Sequence, residues 1–234
     1  MGHDIAGTLP TELGLLQNAH TLSLYRNQLD GPLPTELTQF TDLELQFNRF
    51  AGTVPSELLL RNYVRMNLSN NRLQGPIPDP MALPNADVQA LFLQNNNLTG
   101  TIPTSIGVLT NLLSLRVDDN QLTGTLPTEV GFLGQLAELW LHRNALTGSL
   151  PTEVGFLMSL TDLSVFANQL VGTLPEILYS ATSLQILRAS RQGLNGTLSS
   201  GIGRLTNMRR LELFNNQFSG TLPTELAQLS NMGK

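Results

Sequence analysis

Nine copies of one short pattern run the length of this chain. Asparagine recurs at Asn27, Asn48, Asn71, Asn96, Asn120, Asn144, Asn168 and Asn216, with Gln192 holding the remaining register position. The intervals are 21, 23, 25, 24, 24, 24, 24 and 24 residues. Apolar residues stand five and three positions before each, from Leu22 and Leu24 through Leu139 and Leu141 to Leu211 and Leu213. Leu or Phe follows two positions after, Gly four after, and Pro seven after; Ser199 is the one departure from Pro. No single copy has enough apolar side chains to bury its own, so the copies must stack, each covering its neighbours.

The chemistry of the pattern fixes the stacking. Apolar residues two apart share one face of a strand, and the residues between them face the other way. Strands placed about 4.8 Å apart would form one parallel sheet roughly 40 Å across. The short amide of each asparagine can serve backbone donors and acceptors left open where the chain turns inward, so stacked copies form a buried ladder. Pro presets φ for a short helical segment, and the Glu two residues later (Glu12, Glu36, Glu57, Glu129, Glu153, Glu225) suits its N-terminal end. All variation in repeat length falls between Pro and the next strand, so the outer segment absorbs change while strand and inward turn do not.

The spacing LxLxxNxLxGxLP at about 24 residues resembles the plant-type leucine-rich repeat of receptor ectodomains and polygalacturonase-inhibitor-like arrays. The resemblance covers essentially the whole chain. It implies one α/β right-handed solenoid over residues 1–234, with about nine parallel strands on a concave face and short 3-10 or helical turns on a convex face. It also implies a recognition module, part of a receptor-like protein, rather than a catalyst. The chain begins and stops inside repeats, without the paired-cysteine caps of secreted arrays. That reads as a slice of a longer protein whose uncapped ends would allow end-to-end association.

Composition removes other classes. No apolar run reaches the length of a membrane helix, so no membrane contact is expected of this segment. Met-Gly-His-Asp-Ile at the start lacks a cationic, apolar leader. A net charge of −5 argues against nucleic acid held by bulk charge. With no cysteine, no disulfide or thiolate metal site can form. Receptor-like arrays imply an extracellular setting, whereas the missing cysteines point to a reducing interior; the sequence leaves both open. Acceptor triplets at Asn67, Asn97 and Asn195 come cheaply in an asparagine-rich repeat.

The positions six, four, two and one before each asparagine are expected to face solvent on the concave side. They hold 14 of the chain's charges on 36 residues, seven of each sign, against 17 on the other 198. They also hold Tyr25, Phe47, Phe92, Trp140, Phe166 and Phe214. Strand propensity explains aromatics there but not the charge. Aromatics with arginine and mixed charge match the composition of binding hot spots. The expected ligand-binding residues are Phe92, Arg116, Asp118, Trp140, His142, Arg143, Phe166, Arg188 and Phe214, and the expected ligand is a protein or peptide.

Three other chemistries compete with this reading. His142 with Asp118 one strand away and Ser164 on the other side has the composition of a nucleophile set. An open sheet offers it no closed pocket, and no catalytic residue is expected. Asp118 with His142 gives two metal ligands, too few for a site, so neither metal nor cofactor is expected. His3 and His20 read as structural. Threonine follows Gly at 8, 53, 101, 125, 173, 197 and 221, and follows Pro at 11, 35, 104, 128, 152 and 224. Such ranks could present an ice-binding-like lattice, although threonine also suits extended turns. Finally, the repeat from Leu187 to Gly203 departs at Ala189, Gln192 and Ser199 and is expected to be the least protected stretch.

Overall fold

A computed structural model describes residues 5–60, 63–79 and 88–233; His3 lies outside them. Among these residues nine three-residue strands form one parallel sheet in sequence order: Thr21–Ser23, Asp42–Glu44, Arg65–Asn67, Ala90–Phe92, Ser114–Arg116, Glu138–Trp140, Asp162–Ser164, Ile186–Arg188 and Arg210–Glu212. Every strand pairs in the register set by the repeat, as Leu115 opposite Leu139 and Leu139 opposite Leu163. Nine 3-10 segments, such as Thr128–Phe132 and Thr152–Phe156, run on the opposite side. Further strands of two to four residues after the inward turn, among them Thr147–Gly148 and Gln169–Gly172, pair in small flanking sheets. The sequence pattern did not announce these.

Alternation holds where it matters most. Leu139 and Leu141 are fully buried, while Trp140 between them is partly open to solvent on the concave side. The core is one continuous stack of leucines, valines and isoleucines, with Phe40, Phe50, Tyr63 and Tyr179 among its fully buried side chains.

The asparagine ladder is built as its chemistry demands. Asn144 Nδ2 donates to the carbonyls of Val117 (3.0 Å) and Leu141 (3.1 Å), and its Oδ1 accepts from the amide of Leu122 at 2.9 Å. Asn96, Asn120 and Asn168 repeat the same three bonds, each joining its own repeat to the one before. Gln192 does not. Its Nε2 reaches only the carbonyl of Ala189, at 3.2 Å, and its Oε1 is buried without a partner. The extra methylene moves the amide out of register with the neighbouring turns. Ser199 compensates for the missing proline of this repeat: its hydroxyl accepts from the amide of Gly201 at 3.1 Å, capping the 3-10 segment Ser200–Arg204.

One local feature departs from the strand reading. The residue just before each ladder position is not extended but left-handed, with φ from 51° at Asp119 to 60° at Phe47. Asn70, Asn95, Asp119 and Asn215 adopt this conformation readily. Arg26, Phe47, Arg143, Ala167 and Arg191 hold it at a cost of roughly 1–2 kcal/mol each. The kink turns the chain inward so that the next residue can enter the ladder. It also throws the side chains of Asp119 and Arg143 onto the rim of the concave face.

Candidate functional site

The middle of the concave sheet gathers most of the expected residues into one stacked stripe. Phe92, Arg116 and Trp140 stand at matching positions of three consecutive strands. The Arg116 guanidinium lies 5.1 Å from the Phe92 ring centroid and 3.9 Å from that of Trp140. Each such contact contributes about 0.5–2 kcal/mol, more where water is excluded. Glu138 holds Arg116 from the side, accepting from Nη2 at 2.7 Å and Nε at 3.2 Å, and Ser114 donates to the same oxygen. Trp140 leads on to His142, with ring centroids 6.0 Å apart, and His142 stacks on Phe166 at 4.4 Å and 15°. Arg143 closes the row 5.8 Å from the Phe166 centroid.

Charge is paired along both margins of the stripe. Arg188 donates to both oxygens of Asp162 at 3.3 Å, and Arg143 to Asp119 at 3.3 Å. The indole N–H of Trp140 faces the Asp162 carboxylate and steadies its charge without reaching hydrogen-bonding geometry. Burial raises the Asp162 carboxyl above the usual range, and Arg188 offsets part of that.

Asp118 is the correction to the solvent-facing expectation. It is only 4% exposed, and Asp162 and Ser164 are likewise buried. Large neighbours on adjacent strands, such as Trp140 and Arg188 on either side of Ser164, close over the small polar side chains between them. Desolvation pushes the Asp118 carboxyl up to about 7, with the charge of Asp119 adding to it. Desolvation also takes the His142 imidazole down to about 4. His142 Nε2 sits 3.3 Å from Asp118 Oδ2. At neutral pH the ring is uncharged, so their contact is not an ion pair. Ser164 Oγ and His142 Nδ1 are buried without partners, so the serine is not hydrogen-bonded to the histidine as a nucleophile set requires.

The remaining expected residue stands apart. Phe214 is half exposed three strands beyond His142, packed only on Arg191 at 5.7 Å, with Ser190 between it and Phe166 in that lane. Sequence reasoning passed over Glu138, Asp162 and Asp119 as site residues. Their signal was available: Glu138 and Asp162 lie diagonally across from Arg116 and Arg188 on the adjacent strands, and Asp119 holds the position matching Arg143 in the preceding repeat. Asp119 also turns the two-ligand set into three, because one donor atom from each of Asp118, Asp119 and His142 lies within 4.8 Å of the others.

Comparison with known proteins agrees with this architecture. The family model described as Leucine Rich Repeat matches residues 87–109 and 207–229. Receptor-like protein 31 of Arabidopsis thaliana is 32% identical over 95 residues, covering 39% of this chain and 11% of that protein. The chain is a leucine-rich-repeat solenoid. Among solved structures, the plant peptide hormone receptor RGFR1 in complex with RGF2 superposes with a TM-score of 0.93 at 32% identity, over 97% of this chain and 37% of that one. A plant ice-binding protein superposes with a TM-score of 0.76 at 27% identity, over 94% of this chain and 71% of that one. This leucine-rich-repeat chain thus spans about a tenth of the curated relative's length and little more than a third of the receptor's.

Proposed function

We propose that this solenoid is a non-catalytic recognition module that binds an extended peptide or protein segment across its concave face. The whole of residues 1–234 acts as one such unit in this reading. Arg116, Trp140, His142, Arg143, Phe166 and Arg188 form the centre, with Phe92 at one flank and Phe214 as an outlying contact. The observation that carries it is the continuous row from Phe92 through Arg116, Trp140, His142 and Phe166 to Arg143, held mid-array by stacking. A row pre-ordered in this way loses little side-chain entropy when a ligand docks, which raises affinity for a given contact area. The paired charges on its margins would select among ligands more than strengthen them. The plant peptide hormone receptor RGFR1, solved in complex with RGF2, supports a peptide as the ligand class.

The test is selection of peptides from a display library on the immobilised wild-type chain, with binding then remeasured on Trp140→Ala/Arg116→Ala. Both side chains lie on the sheet surface, so the fold should survive. Loss of two hot-spot residues should weaken selected peptides by about 100-fold or more. Equal binding by both proteins would remove the concave site.

A second reading has its own observation. Thr101, Thr125, Thr173, Thr197 and their equivalents are exposed in register along one flank, and the plant ice-binding protein is among the structural matches. Their methyls, however, are used in packing between repeats. Gly124 is at φ +74°, and a Cβ there would come within 2.7 Å of the Thr101 methyl. The rank is also broken at Pro32, Pro76 and Ser149. An ice-recrystallisation assay comparing wild type with Thr125→Tyr decides it: activity that the tyrosine abolishes would establish a lattice surface.

A further inference from the structure

The geometry points to a site for a divalent transition-metal ion at Asp118, Asp119 and His142, on the rim of the concave stripe. Three donor side chains converge there. His142 Nε2 lies 3.3 Å from Asp118 Oδ2 and 3.9 Å from Asp119 Oδ2, and one donor atom from each residue falls within 4.8 Å of the others. Donors bound to one ion at about 2.0–2.2 Å stand at separations close to these, so the three need only small rotations to share it.

Each ligand is held in place by something other than the ion. His142 is stacked on Phe166, which fixes the plane of the ring. Asp119 comes from the left-handed turn at φ 51°, and Arg143 engages its Oδ1, leaving Oδ2 toward the histidine. Asp118 supplies a second, independent sign of a missing occupant. Its side chain is 94% buried by accessibility, yet its Oδ1 has no hydrogen-bond partner. A desolvated carboxylate oxygen left without a partner is unfavourable unless something satisfies it. A cation shared with His142 and Asp119 would give this buried carboxylate a partner.

One imidazole with two carboxylates favours a first-row transition ion over Mg²⁺ or Ca²⁺, which prefer all-oxygen sites. Three protein donors leave further coordination positions facing the groove, where water or a donor from a bound peptide would complete the shell. The proposal does not require the peptide reading, since the ion alone is the probe.

The experiment is calorimetric titration of the chain with Zn²⁺ in a non-coordinating buffer at neutral pH, with Mn²⁺ electron paramagnetic resonance as a second readout. Wild type should bind one Zn²⁺ and immobilise one Mn²⁺. His142→Gln should lose more than about 100-fold in affinity, beyond the cost of losing a supporting partner outside the coordination shell. Asp118→Asn should do the same, and His20→Gln should leave binding unchanged. If Asp118→Asn fails to fold, His142→Gln decides. Zn²⁺ affinity weaker than about 1 mM in wild type, or undiminished binding by His142→Gln, would overturn the proposal.

Discussion

The repeat at Asn144 and the repeat at Gln192 share a backbone but not a support. Both present a short strand to the concave sheet, a left-handed residue before the ladder position, and a 3-10 segment outside. At Asn144 the ladder side chain makes four backbone bonds to its own and the preceding repeat. At Gln192 it makes one, and one oxygen is buried unpaired. Even there the array continues, because Asn216 still reaches back to Ala189 at 2.8 Å and the core leucines remain sealed. Strand packing thus tolerates a fault in the ladder. The stacked row from Phe92 to Phe166, by contrast, lies over repeats whose ladder is intact, and of the proposed centre Arg188 alone stands on the Gln192 repeat.

The sharpest way to break this comparison is to remove the two ladder groups in turn. Asn144→Ala orphans two carbonyls and an amide in the interior and should cost roughly 3–5 kcal/mol in denaturant unfolding, several times the penalty for one unsatisfied group. Gln192→Ala should cost under about 1 kcal/mol, since little is lost with it. Equal losses would mean the asparagine bonds are not what supports the turn. Hydrogen exchange should show the same asymmetry without mutation. Amides around Leu187–Gly196 should exchange well before those around Leu139–Gly148, and equal protection would remove the weak point. Restoring the ladder with Gln192→Asn should then stabilise by about 1–2 kcal/mol and slow exchange locally.

The polar heart of the stripe gives a signed expectation of pH dependence. Asp118 has a folded pKa raised to about 7 against 3.8, so the folded state holds an extra proton between those values, and stability falls as pH rises through that window. His142 has a folded pKa lowered to about 4 against 6.5, so stability rises with pH across that range. In wild type the two trends oppose each other below about pH 6.5. His142→Gln should unmask a fall in stability from pH 4 to 7, and Asp118→Asn a rise from pH 4 to 6.5. Slopes of the same sign in both variants would contradict the assignment. Ser199→Ala carries the smallest effect, about 0.5–1 kcal/mol for a lost cap.

Much of this was legible in the residue order, for a physical reason. Strand register, the buried leucine pair, the ladder and the charge-dense face all follow from one short repeat acting between nearest neighbours, so Leu139 and Asn144 declare their roles locally. What escaped depends on side chains that meet across strands. Ser164 is fully buried because Trp140 and Arg188 flank it, which alternation along a single strand cannot express. Asp118 was taken as exposed for the same reason, and Asp119 joined the site only through a turn that sequence read as strand. Phe214 enters the expected site by lane position, although Ser190 interrupts that lane.

The most direct measurement is the footprint of a selected peptide, mapped by hydrogen–deuterium exchange and cross-linking on the wild-type chain. The account predicts protection and cross-links at Arg116–Asp119, Trp140–Arg143 and Ser164–Phe166, with the convex Phe132 and Phe156 unaffected. A footprint on the threonine flank around Thr125, or on those convex phenylalanines, would contradict it.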